Sequence, residues 1–241
     1  MFDSLKDRLR KAEEKLDYLS EMQRENLAAG QLAKLFPDGF FMPLTSWSVA
    51  PAEVLHICND IVINKRRSIV EFGAGYSTLC AARVLQINGF EAHFYTVESD
   101  AEWLETMRRL LKQNNLDQVV TLVHAPVGPV EDAYGAAPGG KWYDTAALRE
   151  ALKDAPPTDL ILADGPFGSV SPLARYPAVP FLKDRLAEEY AIFLDDAARP
   201  DERDIAVRWA ELLEISPKNF GRYVLFSNSE GFDAEPFGRP F

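Results

Sequence analysis

The stretch SIVEFGAGYSTL, residues 68–79, decides the fold of this chain. Residues 68–72 form a short β-rich run, glycines follow at Gly73 and Gly75, and a helical pattern begins at Ser77. Glycines let the backbone turn sharply and come close to a ligand. A glycine-rich turn between a strand and a helix is the context that nucleotide-binding motifs require. The stretch therefore predicts a ligand site at the end of a strand.

Strands and helices alternate on the carboxyl side of this turn. Strands are predicted at 68–72, 93–97, 119–123, 159–163, 190–194 and 222–226, a seventh in the tail after Gly231, and helices at 77–87, 99–111 and 201–214. A capping box at 99–102 opens the second helix, and 128–140 is predicted to be a loop. Apolar strands separated by helices indicate a parallel sheet that is covered on both faces. The predicted fold class is α/β, a Rossmann-like doubly wound sheet with ligands at its carboxyl edge.

An amino-terminal helix precedes this domain. We assign residues 1–36 to the helix, 37–67 to a connector and a helix leading into the core, and 68–241 to the ligand-binding domain. Apolar residues in the first helix follow a heptad spacing; they are Leu5, Leu9, Ala12, Leu16 and Leu19. Such a stripe packs either on its own domain or on a partner subunit, so it predicts a possible homo-oligomer. The Pro37-Asp38-Gly39 turn is expected to stop the helix.

Composition narrows the classes of partner. The 241 residues carry a net charge of -11, which repels nucleic acid phosphates. The amino terminus lacks the apolar core of a signal peptide. No apolar run reaches the roughly 20 residues that cross a bilayer. The two cysteines fit no zinc or redox pair and read as buried free thiols. We expect a cytoplasmic protein that acts on a small molecule, with no nucleic acid or membrane partner.

Two glutamates are predicted to contact the ligand of the glycine turn. Glu71 comes just before the turn, where a carboxylate suits a cationic amino-acid ligand and repels a diphosphate. The turn has no lysine, and Thr78 stands where a dinucleotide site has its third glycine. Glu98, with Ser99 beside it, ends the second strand, where an acid accepts hydrogen bonds from ribose hydroxyls. The helix amides also suit pyrophosphate, so a nicotinamide cofactor is the alternative.

Three acids, Asp164, Asp195 and Asp196, follow the fourth and fifth predicted strands. Converging carboxylates repel one another unless a cation compensates them. Mg²⁺ is one such cation and would lower the pKa of a bound hydroxyl; an arginine such as Arg175 or Arg199 is another. Without a metal, Asp164 is a candidate general base. Alternatively, Asp195 or Asp196 caps the helix that follows.

Other residues are candidates for the walls of the site. Trp47, Ser48 and Tyr76 could cover the cofactor, and His124 could touch it, although a lone histidine is more often structural. The loop 167–180 is long and rich in polar and aromatic residues. Loops at strand ends commonly carry specificity, so this loop is expected to help select the acceptor.

At these motifs the sequence resembles class I S-adenosylmethionine-dependent methyltransferases, over residues 47–226. SIVEFGAGYSTL looks like the first motif of that family, and FYTVES like its ribose-binding acid, carried by Glu98. LILADGP and IFLDDAARPDE look like the motifs after the fourth and fifth strands. The pairing of Asp164 with Asp195 and Asp196 is similar to metal-dependent O-methyltransferases of small molecules, including those acting on sugars of natural products.

The resemblance implies a seven-stranded sheet with an antiparallel last strand, and O-methylation of a sugar or natural-product hydroxyl. Asp164, Asp195 and Asp196 would be catalytic and would bind Mg²⁺. The implied cofactor-binding residues are Glu71, Gly73, Ala74, Gly75, Tyr76, Ser77, Glu98, Ser99 and Asp164. Two alternatives stay open at this point. One is an NAD(P)-dependent oxidoreductase on a related fold, and the other is a non-catalytic methyltransferase-like assembly protein.

Overall fold

A computed structural model describes residues 2–37, 39–41, 43–131, 134–135, 139–229 and 231–238, without the side chains of residues 2–5. The strands are β1 (Ser68–Phe72), β2 (His93–Glu98), β3 (Val120–His124), β4 (Val127–Pro129), β5 (Lys141–Tyr143), β6 (Thr158–Ala163), β7 (Leu186–Leu194), β8 (Lys218–Asn219) and β9 (Val224–Ser227). The helices are α1 (Phe2–Leu32), α2 (Pro51–Ile63), α3 (Tyr76–Ile87), α4 (Ala101–Gln113), α5 (Thr145–Ala151), α6 (Ala178–Leu182) and α7 (Pro200–Leu213). Short 3₁₀ turns cover Ala33–Leu35 and Lys183–Arg185.

Seven strands form one sheet in the order β3-β2-β1-β6-β7-β9-β8. Five neighbouring strands of this sheet, β3, β2, β1, β6 and β7, are parallel. β9 runs antiparallel to β7, and β8 runs antiparallel to β9. The chain leaves β1 toward β2 on one side and later returns to its other side with β6. This reversal is the switch point at which open α/β sheets bind ligands. The doubly wound, seven-stranded prediction is confirmed.

The register of the parallel strands aligns their carboxyl ends. Phe72 of β1 is paired with Val97 of β2 and with Ala163 of β6, and Ala163 is paired with Leu194 of β7. The next residue of each strand or of the turn after it therefore falls in one row. That row is Gly73, Glu98, Asp164 and Asp195.

Apolar side chains fill both faces of the sheet. One core cluster joins residues of α2, α3 and α4 to Ile69, Leu160 and Phe193, and the other joins α5, α6 and α7 to Val70 and Ile161. Successive residues of a strand point to opposite faces, so each of the central strands contributes to both clusters. Strands buried on both faces hold the switch point rigidly.

The structure corrects four details of the predicted elements. The seventh strand is β8, next to β9 across the Gly221 turn, and 231–238 contains no strand. Residues 128 and 129 of the predicted loop 128–140 belong to β4, which forms a hairpin with β5, and Trp142 of β5 is fully buried. The side chain that caps α4 belongs to Asp100 and not to Ser99, because it accepts the N–H groups of Glu102 and Trp103. A helix, α5, begins behind Asp144 in the same way.

Helix α1 divides into an exposed half and a docked half. Residues 6–23 are exposed or nearly so, including Leu9, Leu16 (65% exposed) and Leu19 of the apolar stripe. Farther along, Ala28 and Leu32 are buried against the domain. The exposed stripe does not pack on its own domain. Residues 38 and 42 of the predicted connector lie outside the described part of the chain.

None of the described helices is long and apolar enough to span a membrane. Cys58 and Cys80 are free and buried, as the sequence predicted. Burial raises the pKa of the Cys58 thiol to about 12. A thiol in that state is a packing group and not a nucleophile.

Candidate functional site

A cavity of about 400 Å³ opens at the carboxyl edge of the sheet, around the switch point. Its walls come from the glycine turn, the ends of β2 and β6, the start of α4, the connector before α2 and the loop after β6. Among the lining residues are Gly73, Ala74, Gly75, Tyr76, Ser77, Glu98, Ser99 and Asp164. These are eight of the nine residues that the sequence assigned to the cofactor. The sheet topology therefore brings them together around one space.

The glycine turn is shaped by two close backbone approaches. Gly73 has a φ of 98°, which a side chain would disfavour, and its N–H donates to the Val97 carbonyl at 2.9 Å. A Cβ atom on Gly165 would lie 2.2 Å from the Tyr143 hydroxyl and 3.1 Å from the Gly73 nitrogen. The turns after β1 and β6 thus touch through bare backbone, which explains the glycine in Asp164-Gly165-Pro166.

Glu71 supports the turn from below and does not line the cavity. It is fully buried, and its two carboxylate oxygens accept hydrogen bonds from the hydroxyls of Ser77 and Thr78, both at 2.5 Å. Burial raises the pKa of Glu71 to about 7, while the two hydroxyls oppose that rise. The sequence predicts a direct ligand contact for Glu71, but the alternation of β1 turns its side chain inward, away from the cavity. Glu71 is a positioning residue.

Thr78 is a residue whose role sequence reasoning missed. Its Oγ1 accepts the Gly75 N–H at 2.9 Å and donates to Glu71, so it ties the turn to the strand. The sequence motif alone marks Thr78 only as the residue in the place of a third glycine. The available signal was a hydroxyl residue three positions after Gly75, which is the spacing of a helix amino-terminal cap.

Glu98, which the sequence predicts to be a ribose partner, lies at the end of β2. Its side chain lines the cavity, and its Oε1 accepts the backbone N–H groups of Ser99 at 2.6 Å and Asp100 at 2.8 Å. These bonds fix the carboxylate at the end of β2. Among the described residues the hydrogen bonds of this carboxylate all reach Oε1, so Oε2 is available to a ligand.

Two further residues hold or flank this side of the cavity. Trp103 of α4 lines it and donates from Nε1 to the Ala74 carbonyl at 2.7 Å, which joins the helix to the glycine turn. His124 is not among the residues that line the cavity. Its Nε2 lies 3.1 Å from the Ser99 carbonyl. His124 therefore has a structural contact, the second of the two roles considered for it.

The three acids of the predicted reaction centre converge. Asp164, Asp195 and Asp196 place carboxylate oxygens within 4.8 Å of one another. Asp164 and Asp196 line the cavity, whereas Asp195 is buried behind them and accepts the Asp196 N–H at 2.6 Å. Asp196 has a φ of 60°, so the backbone bends at the point where the cluster forms. The convergence predicted from the strand ends is therefore present, with one acid turned away from the cavity.

Three arginines neutralise this cluster. Arg175 donates to Asp164 at 3.1 Å and to Asp196 at 2.9 Å from the same nitrogen. Arg199 also pairs with Asp196, at 2.8 Å, and Arg222 donates to Asp195 at 3.2 Å. The sequence left two cations that could offset the three carboxylates, Mg²⁺ or an arginine. The structure shows arginine side chains in contact with all three acids.

Burial raises the pKa of Asp164 to about 8. Arg175 opposes this rise, and the neighbouring carboxylates of Asp195 and Asp196 add to it. Glu53 of α2 is buried beside Asp195, and burial raises its pKa well above the ordinary range. Acids whose pKa is raised by burial in a cleft are typical of functional sites.

Aromatic side chains flank the mouth of the cavity. The rings of Trp47 and Phe167 meet edge to face with their centres 5.2 Å apart, and both residues line the cavity. They are 70% and 56% exposed. Ser48 lines the same wall, and its carbonyl accepts a hydrogen bond from Arg222. The connector before α2 and the loop after β6 thus meet at the mouth of the cavity.

Comparison with known proteins identifies the class. The sequence profile of a family described as a methyltransferase domain matches residues 70–197, more than half of the chain. The chain belongs to this methyltransferase family. A search of curated protein sequences found no match.

Solved structures share the fold at low identity. An O-methyltransferase from Bacillus cereus in complex with S-adenosylhomocysteine is 15% identical, with a TM-score of 0.56 over 88% of this chain and 94% of that one. TomG from Streptomyces achromogenes, an O-methyltransferase of tomaymycin synthesis in complex with S-adenosylmethionine, is 14% identical, with a TM-score of 0.54 over 85% and 88%. The S-adenosylhomocysteine-bound methyltransferase PaMTH1 from Podospora anserina is 16% identical, with a TM-score of 0.54 over 88% and 94%. The shared fold is that of class I S-adenosylmethionine-dependent methyltransferases.

Proposed function

We propose that this chain binds S-adenosylmethionine in the cavity and methylates a hydroxyl group of a small molecule. One observation carries the proposal. The row of Gly73, Glu98 and Asp164 at three adjacent strand ends surrounds a single cavity. It puts a bare backbone turn, a carboxylate that can accept hydrogen bonds from ribose hydroxyls, and a second buried acid around the space for one ligand. The family match adds that the domain is a methyltransferase.

The cofactor fits the glycine side of the cavity. Glu98 presents Oε2 to a pair of ribose hydroxyls, while its Oε1 is held by backbone amides. The turn at Gly73 and Gly75 lets the amino-acid end of the ligand approach the backbone closely. Glu71 contributes by holding the turn through Ser77 and Thr78, and it makes no ligand contact of its own.

The acceptor hydroxyl lies next to Asp164 in this proposal. S-adenosylmethionine supplies the methyl group, whose bond to sulfur breaks with its electron pair as the acceptor oxygen bonds to the carbon. Asp164 takes the hydroxyl proton, and Arg175 holds the carboxylate in place. Alignment and exclusion of water are the main tasks of the protein in such a displacement. Trp47 and Phe167 cover the cavity mouth and serve both tasks.

Transfer of a labelled methyl group tests the proposal. The chain is incubated with methyl-labelled S-adenosylmethionine and a panel of sugars and phenolic natural products, each paired with its deoxy analogue. We expect label in a hydroxylated compound and none in its analogue. Label carried into a nitrogen or carbon acceptor, with the hydroxyl compounds untouched, would overturn the O-methylation part of the proposal.

No contact among the described residues supports either alternative, the NAD(P)-dependent oxidoreductase or the non-catalytic assembly protein. Thr78 occupies its position because it ties Gly75 to Glu71, and a dinucleotide-type glycine there would lose that link. The cavity and its acids are intact, as an active enzyme requires. The cytoplasmic location and the lack of a nucleic acid partner stay predictions from composition.

We further propose that the exposed half of α1 pairs with the same helix of a second copy. Its 18 exposed residues, 6–23, extend about 27 Å at 1.5 Å per residue, and an isolated helix of this length is marginal in water. We place Leu9 and Leu16 at position a of the heptad. Arg8 then occupies position g, and Glu13 occupies position e of the next heptad. A parallel pair places these opposite charges together, whereas an antiparallel pair opposes Arg8 to Lys15. The partner that fits is a parallel second copy.

Replacing Leu9 and Leu16 together by glutamate is expected to convert the dimer to a monomer, because four like charges would enter the seam. Light scattering after size-exclusion chromatography measures the mass. The control is Lys11→Glu, an exposed change on α1 outside the stripe. A wild-type chain that is monomeric at high micromolar concentration would refute the pairing, as would a double variant that stays dimeric.

A further inference from the structure

We infer that Arg175 occupies the electrostatic position that a divalent cation would take in this acidic cluster, so the chain needs no metal for methyl transfer. The inference concerns the reaction centre of the proposed function and rests on that function only where activity is measured. The geometry of the guanidinium, the charge balance around it and the anchoring of its loop support it.

The guanidinium of Arg175 sits where the carboxylates converge. One nitrogen bridges Asp164 and Asp196 at 3.1 and 2.9 Å, the other terminal nitrogen donates to the Asp195 carbonyl at 3.0 Å and lies 3.8 Å from Glu202. The side chain is 4% exposed. A cation at the same acids would have to expel this buried group from three hydrogen-bond acceptors and from its ion pair with Glu202. Breaking a buried ion pair in this way leaves uncompensated charge.

Arginine side chains already compensate most of the negative charge of this acidic cluster. Four acids of the cluster form ion pairs with arginines. The acids are Asp164, Asp195, Asp196 and Glu202, and the arginines are Arg175, Arg199 and Arg222. Three guanidinium groups therefore face four carboxyl groups before any metal ion binds. A divalent ion would add two positive charges within a few ångströms of Arg175, where like charges disfavour each other's charged forms.

The loop that carries Arg175 is anchored before any ligand binds. The Leu173 N–H donates to Asp201 at the start of α7, at 3.1 Å, and Trp209 of the same helix donates to the Tyr176 carbonyl at 2.9 Å. Leu173 has a φ of 55°. These contacts fix the backbone on both sides of Arg175. The guanidinium is thus part of the folded site and not a surface side chain that swings aside.

The Nε–H of Arg175 is buried without a hydrogen-bond partner among the described residues. Buried donors are nearly always paired, and this one belongs to a residue that lines the cavity. The terminal nitrogens of the same guanidinium hold Asp164 and Asp196, which fits a positioning role for Arg175.

Titration with Mn²⁺ tests the inference without any substrate. Carboxylate sites that take Mg²⁺ also take Mn²⁺, and calorimetry or electron paramagnetic resonance counts the bound ions. We expect the wild-type chain to bind no Mn²⁺ at this cluster. Arg175→Met removes the charge at similar length, and we expect it to gain one Mn²⁺ per chain. The matched control is Arg149→Met, because Arg149 pairs with Glu131 at the surface.

The outcomes separate cleanly. One Mn²⁺ bound by the wild type and lost in Asp196→Asn would overturn the inference, and so would a folded Arg175→Met variant that binds none. If Arg175→Met does not fold, the Mn²⁺ titration is repeated with Arg175→Gln. The Mn²⁺ titration of the wild-type chain tests the inference without either variant. Wild-type methyl transfer that persists after chelation supports the inference, whereas transfer restored only by Mg²⁺ contradicts it. A chain without methyl transfer would sink the proposed function and leave the Mn²⁺ titration intact.

Discussion

Replacing Asp164 by asparagine is expected to lower kcat by about 100- to 10,000-fold, the usual contribution of a general base. Asparagine keeps the shape of the side chain and a carbonyl oxygen for Arg175, but it cannot take the acceptor proton. Cofactor affinity should change much less than kcat, since the proposed function places Asp164 next to the acceptor hydroxyl. Steady-state rates and calorimetry measure the two separately, with Asp154→Asn at an exposed position as the control.

The pH dependence of kcat/KM also tests the assignment of Asp164 as the general base. Burial holds the pKa of Asp164 near 8, with Arg175 opposing the rise and Asp195 and Asp196 adding to it. The ionised form is the base, so kcat/KM should increase as the pH rises to about 8 and then level off. The slope should be missing from the residual activity of Asp164→Asn. A wild-type rate that falls between pH 6 and pH 8 would contradict the base assignment.

The second large effect is expected at Glu98. Its replacement by alanine removes two charge-assisted hydrogen bonds to the ribose, a loss of about 2–4 kcal/mol, or about 30- to 1,000-fold in Kd. The change also frees the Ser99 and Asp100 amides that fix the end of β2. Calorimetry with S-adenosylmethionine measures the affinity, and a thermal melt checks that the chain is folded.

Two variants act as controls for Glu98. Glu98→Gln keeps acceptor and size but not the charge, so its loss should be smaller than that of Glu98→Ala. Glu105→Ala removes an exposed acid of α4 that pairs with Arg108 at the surface, and its affinity should match the wild type. If Glu98→Ala binds as tightly as Glu105→Ala, the ribose assignment fails.

The sheet was readable from the sequence because its central strands are buried on both faces and appear as apolar runs. β1 was predicted without error, and β2, β3 and β6 within one residue at either end. The β4–β5 hairpin was missed because each strand has three residues, too few for a periodic pattern. The strand β8 has two residues and forms through its pairing with β9, so no local signal marks it.

The candidate site was readable to the extent that it follows from topology. Glu98 and Asp164 end parallel strands, so their convergence on one edge could be deduced from order alone. Glu71 could not be placed in the same way, because its inward direction depends on the pleat and on the hydroxyls of Ser77 and Thr78. The contacts of Arg175 come from the anchoring of an irregular loop by α7, which no spacing rule predicts.

The most direct measurement is a calorimetric titration of the purified chain with S-adenosylmethionine, run beside the same titration with NADH. The account predicts one S-adenosylmethionine bound per chain, no heat of binding from NADH, and strong weakening by Glu98→Ala. A folded chain that fails to bind S-adenosylmethionine, or that binds NADH in its place, would contradict it.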